Sequence, residues 1–191
     1  MKIKYLISEL LLFCLLSCHS VSETEKEMRH FLGSKVNLPN ELVQQLSVEN
    51  YYYLIIYLET KDCVPCSFNN LTLLDHYKDD FEKFNTGVVF IIKENEHKEQ
   101  IRNMFTEMKM KYPLFFDKDD CFLKNNPLIS TNPLCHTFII DSDMKVIWIG
   151  SPIANTKSIE RYRELMFHII KHNSGKPFLP ALQTSKERLP P

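Results

Sequence analysis

Residues 59–68 read ETKDCVPCSF. Cys63 and Cys66 stand two residues apart, and a pair at that spacing can do three kinds of chemistry. The thiols can cycle between dithiol and disulfide, ligate a metal as thiolates, or close a permanent staple. If a helix opens at Cys63, its unpaired backbone N–H groups and its dipole stabilise a thiolate there. Cys63 is then the attacking thiol, and Cys66, one turn inside, resolves the mixed disulfide. Lys61 favours the thiolate and Asp62 opposes it. The chain has no second CxxC to complete a four-thiolate zinc knuckle, which argues for redox chemistry over a structural metal.

The flanking pattern supplies the elements that must position the pair. YYYLIIYL (51–58) is aromatic and β-branched without alternation, as a strand buried on both faces reads. After Cys63 the period changes: Phe68, Leu71, Leu74, Tyr77, Phe81 and Phe84 recur at three- and four-residue steps, one helical face. VVFIIK (88–93) predicts a second buried strand, 94–111 a helix with Ile101, Phe105 and Met108 inward, and 112–117 a short strand. Residues 118–126 predict one or two helical turns. A loop bracketed by Pro127 and Pro133 follows. HTFIID (136–141) and KVIWIG (145–150) predict strands joined by a tight turn at Ser142-Asp143, with Trp148 in the core. The segment 158–172 predicts a helix with Ile159, Tyr162, Met166 and Ile169 inward. Residues 31–39 mix apolar and turn residues, and 41–50 predict a short turn or helix. Strands alternating with helices predict an α/β fold with a central mixed sheet flanked by helices.

The chain has 191 residues, 44% of them hydrophobic and 25% charged, with a net charge of −1. That length and composition suit one domain with its own core. The balanced charge gives no footprint for nucleic acid. Glycine is too scarce for a glycine-rich phosphate loop.

The N-terminus differs from the rest. MKIKYLISELLLFCLLSC places Lys2 and Lys4 before an apolar stretch that ends at Ser17-Cys18. This is the layout of an export signal, shorter than the roughly 20 apolar residues of a spanning helix. Leu15-Leu16-Ser17-Cys18 resembles the bacterial lipobox, so residues 1–18 are expected to be a lipoprotein-type signal with Cys18 as the lipid-bearing residue. An ordinary signal peptide is the alternative. Residues 19–30 are expected to be a polar tether and 173–191 a polar tail. Export places the chain where disulfides persist.

A strand, a CxxC-opened helix, strand–helix–strand, a hairpin and a last helix together resemble the thioredoxin fold over residues 31–172. Thr137-Phe138-Ile139-Ile140-Asp141, followed by Lys145-Val146-Ile147, is similar to the TlpA/ResA branch and to the peroxiredoxins. With the lipobox, the chain resembles the thioredoxin-like lipoproteins of Bacteroidetes. Three positions depart from the usual family pattern: Asp62 replaces a Trp, Asn69 a Glu, and Cys135 falls where a cis-proline is expected, two residues after Pro133. The resemblance implies a buried polar group near Cys66, and Tyr57 or Glu59 could be that proton relay. It also implies that Cys135 faces the pair as a third thiol or soft ligand. A disulfide between Cys121 and Cys135 is the other reading. It would close a loop of about 15 residues, for roughly 3 kcal/mol in the chain-entropy model. His136 follows Cys135 at the start of a strand.

The expected activity is that of a thiol–disulfide oxidoreductase without a cofactor, anchored in the cell envelope through Cys18. Its partners would be exported proteins bearing disulfides or thiols, and an electron donor in the membrane or periplasm. Three alternatives stay open. A Sco-like copper handler would use the Cys pair with His136 or Cys135, although Sco proteins space their cysteines CxxxC. A peroxidase would use Thr60 before Cys63 but lacks the family's Arg, since Cys135 occupies that position. A non-catalytic interaction module would keep the fold without the chemistry.

Overall fold

A computed structural model describes residues 23–59 and 71–172. Its elements, in chain order, are α1 (Glu23–Phe31), α2 (Asn40–Val43), β1 (Tyr52–Leu58), α3 (Leu71–His76), α4 (Lys78–Lys83), β2 (Thr86–Lys93), α5 (Lys98–Glu107) and β3 (Leu114–Asp117). A 3-10 turn (Lys118–Asp120), α6 (Cys121–Asn125), α7 (Pro127–Thr131), a second 3-10 turn (Pro133–His136), β4 (Thr137–Ile140), β5 (Val146–Ile149) and α8 (Thr156–His172) complete the order. The strands form one sheet in the order β3-β2-β1-β4-β5. β1 pairs parallel with β2 and antiparallel with β4, β2 pairs parallel with β3, and β4 with β5 form the expected antiparallel hairpin. This is the α/β thioredoxin-like arrangement.

The central strand explains the unalternated hydrophobic run. Tyr52 and Leu54 face one apolar layer, with Leu74 of α3, Phe81 of α4, Ile101 and Phe105 of α5, and Tyr162 and Met166 of α8. Tyr53, Ile55 and Tyr57 face the other, with Phe31 of α1, Leu42 of α2, Phe122 of α6, Ile129 of α7 and Cys135. Both faces of the sheet are thus covered, so every residue of β1 except the part-buried Ile56 and Leu58 is buried. Arg163 docks α8 on α4 by a two-point bond to Asp80, with both N···O distances 2.7 Å.

Several expectations change. The polar stretch 19–30 is not a tether throughout: residues 23–31 are helical, Phe31 is buried, Met28 packs beside it, and Glu27 accepts from Asn132 Nδ2 at 3.0 Å. A short amphipathic helix with two apolar residues in its last turn is easily read as merely polar. The bracketed loop 127–133 is also helical, because Pro127 and Pro133 each open a short helix, where proline lacks only an N–H that would go unpaired anyway. Trp148 is half-buried at the flank of the core, its Nε1 donating to Gly150 O at 2.9 Å. The segment 31–39 contributes a single antiparallel bridge, Lys35 to Lys145.

Gly87, in β2, lies directly beneath the ring of Tyr53, and a Cβ there would collide with that ring and, at 2.6 Å, with Asn50 Nδ2. The ring cannot swing away freely, because its hydroxyl donates to Ser47 O at 2.8 Å and accepts from Asn50. Gly87→Ala is therefore expected to destabilise the protein by about 1–3 kcal/mol through overpacking. Urea unfolding measures this, and an unchanged midpoint would contradict the packing described.

Candidate functional site at the carboxyl edge of the sheet

The three parallel strands β1, β2 and β3 end on one edge of the sheet, which is where open α/β sheets place their chemistry. The last residues there are Leu58 and Glu59 after β1, Lys93 of β2 and Asp117 of β3. β4, running the other way, begins on the same edge, so the turn Pro133–His136 packs beside the end of β1. Cys63 follows Glu59 by four residues. Cys63 and Cys66 themselves, with Thr60, Lys61, Asp62 and Asn69, lie outside the described residues, as does Cys18.

Tyr57 is the buried polar group of this edge. Its ring stacks on Phe122 at 5.8 Å and meets His136 edge-on at 5.2 Å, and its hydroxyl is buried with no hydrogen-bond partner among the described residues. Burial holds its ionisation well above the usual tyrosine range, and the carboxylates of Asp117, Asp120 and Glu59 push it further. A phenol so placed stays protonated at neutral pH and can donate but not act as a base. Among the described residues the part-buried Glu59 is the carboxylate nearest in sequence to Cys63.

Sequence reasoning did not single out Asp117. It ends β3 at 1% exposure. One carboxylate oxygen accepts the Phe122 N–H at 2.8 Å, and the other is buried without a hydrogen-bond partner among the described residues. Asp119 and Asp120 follow in the left-handed region (φ 56° and 55°), a strained pair for non-glycine residues. Three contacts hold this turn: Asp117 to the start of α6, Lys124 Nζ to Asp119 O at 2.7 Å, and Lys93 Nζ to the Asp120 carboxylate at 2.8 Å. The hydrogen bond from Lys93 to Asp120 raises the Lys93 pKa. The signal in the sequence was an aspartate closing a strand a few residues before a helical segment, within reach of that segment's unpaired N–H groups.

The two remaining cysteines do not pair with each other. Cys121 is exposed at the start of α6, Cys135 is fully buried, and both are free thiols, so the Cys121–Cys135 bridge is not formed. Burial, with the negative charge of Glu27, pushes the Cys135 thiol up to about 11. It packs in the apolar layer with Phe31, Phe122 and Phe138, and the expected approach of Cys135 to Cys63 and Cys66 involves a pair that lies outside the described residues. Among the described residues no peptide bond is cis, and no group of three or more His, Cys, Asp or Glu side chains is placed to hold a metal ion.

The model of the AhpC/TSA family matches residues 33–149, more than half of the chain. The chain belongs to the AhpC/TSA family. That makes it a thioredoxin-like protein of the thiol–disulfide oxidoreductase and peroxiredoxin type, and the match spans the whole sheet. No curated protein matches it. Among solved structures it is similar to a putative thiol-disulfide oxidoreductase from Bacteroides vulgatus, with 19% identity, TM-score 0.47, and 63% of this chain and 77% of that one covered. It is similar also to a thiol:disulfide interchange protein from Bacteroides sp., with 13% identity, TM-score 0.48, and coverage of 75% and 91%. A third is peroxiredoxin Q from Xanthomonas campestris, with 15% identity, TM-score 0.43, and coverage of 62% and 80%.

Asp117 generates a pH prediction. Burial raises its pKa, against the pull of the backbone N–H groups of Phe122 and Leu123. A raised carboxyl pKa means that the folded state binds the proton more tightly than the unfolded state. Stability is then greatest below the unfolded pKa of about 3.9 and falls as pH rises through the folded pKa. Asp117→Asn keeps an acceptor for Phe122 and removes this loss. Relative to that variant, the wild type is expected to lose stability as pH rises from about 4 to 7. Denaturant unfolding across that range tests it, and a wild type that gains on the variant would contradict it.

Proposed function

We propose that the protein is an exported thiol–disulfide oxidoreductase that works through Cys63 and Cys66 and is tethered to a membrane by lipid on Cys18. One observation carries this reading: in a chain of this family, CxxC follows directly on the carboxyl end of the central strand β1. Thiol chemistry needs an attacking sulfur at a site the fold holds still, and β1 is the central strand, paired on both sides.

The exchange balances without a cofactor. The Cys63 thiolate attacks a substrate disulfide, one substrate sulfur leaves as a thiolate, and a mixed disulfide forms. Cys66 loses its proton and attacks the Cys63 sulfur, which releases the second substrate thiolate and leaves a Cys63–Cys66 disulfide. Two electrons have passed to the substrate, and a thiol donor in the envelope restores the pair by the same steps in reverse. The lipobox-like LLSC at 15–18 supports a tether, since acyl chains contribute about 0.8 kcal/mol per buried CH₂.

Cys66→Ser is expected to trap partner proteins on Cys63 as mixed disulfides, released by reductant and absent when Cys63 is also replaced. The adducts should sediment with membranes, and Cys18→Ala should move them to the soluble fraction. No adduct, and no turnover of a model disulfide by the wild type, would sink the redox reading. Adducts that stay membrane-bound without Cys18 would sink the tether alone.

A further inference from the structure

We propose that His168 and His172 form a surface chelate for a divalent transition-metal ion, with Cu²⁺ preferred and Ni²⁺ next. Both lie on α8, four residues apart, so their side chains stand one above the other on the helix surface. Both are exposed, and their ring centroids are 4.5 Å apart.

That spacing matches what an ion requires. An ion about 2.0 Å from an imidazole nitrogen lies about 3.2 Å from the centre of that ring. Two rings meeting at a right angle on one ion then have centres about 4.5 Å apart, and at the tetrahedral angle about 5.2 Å. The observed distance is compatible with the right-angle case, which is the ligand angle of tetragonal Cu²⁺ and Ni²⁺. The helix backbone sets this separation, and the rings, tilted at 52° to each other, need to turn one nitrogen each toward the ion.

The surroundings favour a cation. The pair occupies the last turns of a 17-residue helix, where unpaired carbonyls and the negative end of the dipole lie. Glu164 is exposed four residues before His168 on the same face. Lys171, beside the pair in sequence, opposes this in part. With no third protein ligand gathered among the described residues, water or another solution ligand fills the remaining positions. The site uses nitrogen ligands and is separate from the cysteine pair, so it stands whether or not the chain is an oxidoreductase.

The test uses the full chain with its cysteine thiols alkylated, so that sulfur does not compete. Cu²⁺, and separately the redox-inert Ni²⁺, is titrated at neutral pH into the wild type, His168→Asn, His172→Asn and the double variant. Both side chains are exposed, so metal-free melting temperatures should be equal and the folds intact. The wild type should bind one more ion than the double variant, with the EPR signature of two nitrogen ligands. Each single variant should weaken that site by about tenfold or more, because one imidazole alone is no chelate. Cu²⁺ should bind tighter than Ni²⁺. Equal stoichiometry and affinity in the wild type and the double variant would overturn the proposal, as would a wild type that binds no ion. Loss on one substitution but not on the other would show a single-histidine contact and would overturn the chelate.

Discussion

Strand β1 must be apolar on both faces, because helices cover the sheet on both sides and other strands flank β1 on both edges. Everything else follows from satisfying that strand. Its hydrogen bonds go to β2 on one side and β4 on the other. Its side chains alternate between two apolar layers that together recruit α1 through α8. A strand so confined has only its ends free, and its carboxyl end leads toward Cys63. The rigidity that holds the core and the placement of the thiol pair in the chain therefore have one origin.

The same constraint concentrates polar groups at that carboxyl edge. Tyr57 points into the layer under Phe122 and His136, and Asp117 closes β3 on the same edge. Both are buried, and among the described residues both keep one polar atom without a hydrogen-bond partner. Elsewhere in the described core buried polar groups are matched: Tyr162 donates to Thr86 at 2.9 Å, and Asn126 bonds both Asn37 and Phe122. Unmatched buried polar atoms beside a strained turn mark this edge as different from the rest of the described residues, as functional regions often are.

Much of this was legible in the sequence, and the failures have physical causes. The strands of the sheet could be read because burial on two faces writes an unbroken apolar run, as in YYYLIIYL and VVFIIK. The helix α8 could be read because Ile159, Tyr162 and Met166 keep a helical period. Helix α1 was missed because it anchors itself with only two apolar residues. The prolines at 127 and 133 were read as breakers, although each opens a short helix. The Cys121–Cys135 bridge fitted the loop length, but chain spacing does not say that one thiol faces solvent and the other an aromatic layer. Asp117 was hidden because its role lies in a cap to Phe122 and a strained turn, features carried by backbone angles rather than residue type.

The central claim is that Cys63 and Cys66 cycle between dithiol and disulfide. The most direct measurement is the reduction potential of that pair, from equilibration of the full chain with graded glutathione or dithiothreitol buffers. The account predicts a reversible two-electron couple between about −270 and −120 mV, the span of catalytic pairs in this fold. A potential below about −300 mV, where permanent structural disulfides lie, would contradict it. So would a pair that forms no disulfide at any poise.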